Sequence, residues 1–131
     1  MDNYSPEAQR LLVKWNCMTK NMQAAIGRFK QLNEQAVKLG PESQMKLQLR
    51  LQEMGLSILY EKIGQRLRDF ANSSGVEKLF PTPEEREETG GIARFVDFKI
   101  PEEALPEFDR CIDDMNELII TLTAKLCLIK L

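Results

Sequence analysis

Histidine is absent from the 131-residue chain. That one absence excludes Ser-His and Cys-His nucleophile pairs, histidine general bases, mixed Cys/His zinc sites and the Glu-x-x-His di-iron motif. A glycine-rich phosphate loop is missing too, since Gly90-Gly91 has neither partner glycines nor a following Lys-Ser or Lys-Thr. Cysteine is scarce: Cys17, Cys111 and Cys127 are odd in number and far apart, which speaks against a disulfide framework or a zinc knuckle. They read as reduced thiols that serve as packing residues. Long apolar runs are also lacking. The densest stretch, Leu118 to Leu131, is interrupted by Lys125 and falls short of the roughly 20 residues a membrane span needs. The start, Met1-Asp2-Asn3-Tyr4, has neither the basic nor the apolar character of a secretory signal. A cytoplasmic location is expected, with export by a non-classical route as the alternative.

What is present is an ordinary globular composition, 43% apolar and 29% charged. Its strongest pattern is a ladder through Leu11, Trp15, Met18, Met22, Ala25, Phe29, Leu32, Ala36 and Leu39, with steps alternating between four and three residues. Such spacing is the seam of one long helix that lies against other helices, as in a coiled coil. Ser5-Pro6-Glu7 supplies a hydroxyl cap, a proline for the first helical position and an acid at the positive dipole end. Helix 1 is therefore predicted over about 6–39, ending at Gly40-Pro41. Proline opens helix 2 at once, giving a hairpin with almost no loop.

Helix 2 is predicted over about 41–71, before Asn72-Ser73-Ser74-Gly75. It carries one apolar stripe through Leu47, Leu51, Met54 and Ile58, and another through Leu49, Leu56, Leu59, Ile63, Leu67 and Phe70. On a continuous helix these lie on opposite sides, about 200° apart. Its first half should then need cover from two directions, of which helix 1 supplies one. Gly27, Gly55 and Gly64, each costing about 1 kcal/mol inside a helix, suggest close approach or local bending.

The crossover, about 72–105, is long enough to be functional or mobile. Thr82-Pro83-Glu84-Glu85 has the elements of a capping box for a short helix to about Thr89, and Val96, Phe98 and Ile100 give a period-two extended segment. Helix 3, about 106–130, follows from Phe108, Ile112, Met115, Ile119, Leu122, Leu126 and Ile129, although alternation from Leu118 to Leu128 would also suit a strand. Antiparallel return along helix 2 would bring its greasy end to the two-sided part of that helix. The expected fold is all-α: an elongated antiparallel helical hairpin plus a third long helix, a three-helix bundle within one helical domain spanning 1–131.

Charge divides along the chain, with 11 basic against 7 acidic residues up to Ala71 and 7 against 13 beyond it. Lys62, Arg66 and Arg68 form the one local basic cluster, a candidate for a nucleic-acid accessory role, but the remaining cations scatter rather than line a phosphate-binding stripe. Asp113 and Glu117, one turn apart, are the candidate for a metal-dependent phosphohydrolase, yet facing carboxylates are sparse and acids are favoured near a helix start anyway. Ser43-Gln44-Met45-Lys46 has a catalytic Ser-x-x-Lys spacing that is common by chance. The reading is thus non-catalytic: a protein-binding adaptor, assembly or regulatory factor without cofactor, metal or evident small-molecule substrate, self-associating as an oligomer such as a homodimer. Its expected contacts are Leu47, Leu51, Met54 and Ile58 together with Leu126, Leu128 and Leu131. If those satisfy one another, the surface shifts to Phe80, Phe95, Val96 and Phe98 in the crossover.

Overall fold

The computed structural model describes residues 5–74 and 100–131, which fold almost wholly as packed α-helices. Helix α1 runs Pro6–Leu39. Ser5 Oγ accepts from the Ala8 amide at 3.2 Å, so the cap reads as the sequence suggested. At the other end Gly40, with φ 115°, donates its amide to Ala36 O at 3.0 Å, and Pro41 opens α2, Pro41–Glu53. Seven seam residues of α1 are buried, but Phe29 is 39% and Leu39 61% exposed. Leu39 sits on the terminal turn beside Gly40, and Phe29 turns to the mouth of a groove described below.

The expected continuous helix 2 is two helices. α2 stops at Glu53, and α3 runs Leu56–Ser74 after a turn in which Gly55 takes φ 64°. The reason lies in the phase of the stripes. Leu47 and Leu56 are nine residues apart, about 900° of rotation, so an unbroken helix would set them on opposite sides. The left-handed glycine resets that phase. Leu47 is buried before it, with Leu51 and Met54 half-buried, whereas Leu56, Ile63, Leu67 and Phe70 are buried after it. Cover from two directions is consequently unnecessary, and each stripe's stray member, Ile58 or Leu49, faces solvent.

A short 3-10 turn, Glu102–Ala104, leads into α4, Leu105–Cys127. All seven members of its ladder are buried. The strand alternative fails because Thr121 and Thr123, which mimic alternation, donate their hydroxyls to Glu117 O and Ile119 O one turn back within a helix. Residues 72–74 of the expected crossover are still α3, and Leu105 is already α4. The capping box at Thr82 and the extended stretch before Ile100 lie outside the described residues.

Pairings along the helices fix their directions. Arg10 reaches Asp109, Asn21 reaches Asn116 and Arg28 reaches Ile129 O, so α4 runs parallel to α1. Arg66 reaches Glu107 while Lys125 reaches Met54 O, so α4 is antiparallel to α3. One continuous apolar cluster joins them. Its aromatic centre is Phe108, whose ring lies 5.6 Å from that of Trp15 on α1 and 5.0 Å from that of Phe70 on α3. Among the described residues no helix is long and apolar enough to cross a membrane.

Candidate interaction surface

α4 packs against both α1 and α3 and so holds them apart. Where the aromatic trio fills the gap the three helices close, but nearer the α2–α3 turn no buried side chain of the lining carries a ring, and a groove of about 690 Å³ remains. One wall is α1, with Met22, Ala25, Ile26 and Phe29, and the floor is Leu122 and Leu126 of α4. The opposite wall spans the break: Gln48, Leu51 and Gln52 come from α2, and Leu56, Ser57, Tyr60 and Glu61 from α3. Apolar residues thus form one side and the base, while amides and hydroxyls gather on the other. Among the described residues, Glu61 is the only carboxylate in the lining.

Of the contact residues expected from sequence, Leu51 and Leu126 meet in this groove. Leu47 is buried between α2 and the end of α1, beside a second hollow lined by Ala36, Val37, Pro41 and Met45. Met54 packs half-buried on the core, and Ile58, Leu128 and Leu131 are exposed. Phe80, Phe95, Val96 and Phe98 lie outside the described residues. The wall supplied by Ile26, Phe29 and Tyr60 escaped sequence reading. Ile26 lies one turn from both Met22 and Phe29 of the seam, and this apolar residue on the flank of the ladder was the available signal.

Of the basic cluster, Arg66 is committed to α4. Arg66 donates to Asp114 at 2.8 Å and to Glu107 at 3.2 Å, and the hydrogen bond to Asp114 holds its guanidinium still more firmly protonated. Arg68 donates to Gln65 Oε1 at 3.1 Å, and Lys62 is exposed. The acidic set of α4 is committed likewise: Asp113 accepts from Lys14 at 2.6 Å, and Asp109 accepts from both Lys14 and Arg10. Those two cations hold the Asp109 carboxyl below its ordinary range. The charge division along the chain is therefore neutralised where α4 meets α1 and α3. Among the described residues, no cluster of three metal-ligating side chains occurs.

Cys111 is buried, with its thiol toward Arg66 O at 3.8 Å, and burial pushes its pKa up to about 12, the condition of an unreactive thiol. Cys17 and Cys127 are exposed, contrary to the expectation that all three pack inside. Lys46, of the Ser-x-x-Lys spacing, lies 3.9 Å from Glu42. Helices packed about a partly open apolar groove define the class of this protein. No protein-family model, curated protein or solved structure matches the chain.

Proposed function

We propose that this chain is a non-catalytic protein-binding module, acting as an adaptor, assembly or regulatory factor, with a second copy as one occupant. The observation that carries the reading is the groove between α1 and the α2–α3 wall, floored by Leu122 and Leu126. Its volume falls within the range of binding sites, and its apolar base and α1 wall, facing a more polar α2–α3 wall, suit the anchor side chains of an amphipathic helix. Phe29 and Tyr60, both exposed at its mouth, are side chains of the type that dominate interface energetics. Exposed Ile58, Leu128 and Leu131 offer further apolar area outside it.

Molar mass by light scattering across a dilution series tests this, with the native chain beside Phe29→Glu and Tyr60→Glu. A concentration-dependent dimer weakened at least about tenfold by either charge at the mouth, with melting unchanged, supports the reading. A dimer indifferent to both substitutions moves the interface elsewhere. A native chain that stays monomeric throughout removes self-association.

A further inference from the structure

The groove's walls are not equally anchored. α1, α3 and α4 are tied by the aromatic trio and by ion pairs from Arg10, Lys14 and Arg66 to α4. α2 has a single buried side chain, Leu47, where the longer α3 has five. Glycines with positive φ bound it on both sides, Gly40 at 115° and Gly55 at 64°. Its N-terminus lacks a side-chain cap, and at its other end the Met54 carbonyl, released by the break, accepts a hydrogen bond from Lys125 Nζ of α4 at 2.9 Å. A segment joined through two glycine turns, plugged by one buried leucine with Leu51 half-buried beside it, and clasped by one lysine is built to open before its surroundings do.

We infer that α2 is a hinged wall of the groove, turning about Gly40 and Gly55 and latched shut by the Lys125–Met54 hydrogen bond. Release of the latch withdraws Gln48, Leu51 and Gln52 together, because all three ride on α2. The groove then widens on one side while the α1 wall and the α4 floor stay in place. Lys125 suits this duty because its donor is held by a single carbonyl: among the described residues it has no carboxylate partner.

Hydrogen exchange of the full chain, resolved by peptide and followed by mass spectrometry, tests the hinge. Amides of residues 44–53 should exchange at least about tenfold faster than those of residues 62–71. Lys125→Met should speed residues 44–53 by up to about tenfold more while leaving α3 and α4 unchanged, and Lys125→Arg, which keeps a donor, should reverse most of that gain. Equal protection of α2 and α3 in the native chain overturns the inference, as does uniform acceleration of all helices by Lys125→Met. A second arm uses anilinonaphthalene sulfonate as an apolar probe, whose fluorescence should rise in Lys125→Met at constant helicity. That arm rests on the groove reading proposed above, whereas the exchange arm does not. Selective exchange without probe binding keeps the hinge and counts against the groove.

Discussion

Around Phe108 three helices close on one another through ring faces and ion pairs, whereas around Leu51 the same α1 and α4 are joined by a helix that fills its space incompletely. Both ends draw on regular apolar ladders of α1 and α4, so hydrophobic patterning does not separate them. Side-chain size and connectivity do. The aromatic end buries Trp15, Phe70 and Phe108, while the other buries or half-buries Ala25, Leu51 and Leu122 beside a helix break and leaves its rings, Phe29 and Tyr60, exposed at the mouth. Identical spacing can therefore specify a filled core at one level and a groove at the next.

Truncation should expose that contrast most sharply. Phe108→Ala removes a fully buried ring that touches both flanking aromatics and should cost about 3–5 kcal/mol in urea unfolding. Leu51→Ala, made in a half-buried residue on the groove wall, should cost less than half as much, because the space it vacates is already open. Equal losses would dissolve the distinction between the two ends.

Leu47 occupies the middle of that scale. It is the one fully buried side chain of α2, and Leu47→Ala should cost about 2–3 kcal/mol by the same measurement. A cost under about 1 kcal/mol would mean that α2 is not plugged where the structure places the plug.

The break itself is tested by two glycines. Gly55→Ala asks a side chain to adopt φ 64°, so although nothing lies within 4 Å of the new methyl it should destabilise by about 1–2 kcal/mol. Gly27→Ala, also without neighbours within 4 Å but inside α1, should stabilise by about 0.5–1 kcal/mol. Opposite signs in thermal melting would show that the phase reset, and not glycine content, distinguishes these sites.

These glycines also mark how far the sequence could be read. The boundaries of α1 and the ladder of α4 were legible because caps and three-four spacing are local properties, encoded by Ser5, Gly40 and the residues from Phe108 to Ile129. The division of helix 2 was not. Two opposed stripes are compatible either with two-sided cover or with a broken helix, and the choice depends on whether Gly55 goes left-handed, which the tertiary contacts of Leu47 and Leu56 decide. The groove was half legible. Leu51 and Leu126 were anticipated as contact residues, but their meeting with Ile26, Phe29 and Tyr60 depends on how far α4 separates α1 from α3, and no single-helix periodicity contains that distance.

The smallest effect should come from the ion pairs that reinforce the closed end. Asp109 accepts from Lys14 and Arg10 and is held below its ordinary value of 3.8, so its contribution to stability is present above that value and fades as pH falls through the lowered one. With side chains partly exposed, the contribution should be at most about 1 kcal/mol and should shrink in high salt. The difference in urea midpoint between the native chain and Asp109→Asn should hold steady between neutral pH and about pH 5, then close below 3.8. Lys14 supplies the mirror case. Its ammonium is held above the ordinary 10.5 by hydrogen bonds to Asp109 and Asp113, so its contribution persists below that value and is lost as pH rises through the raised one. A difference that grows in acid would reverse the sign of the Asp109 contribution and leave the aromatic trio as the sole reason the closed end is closed.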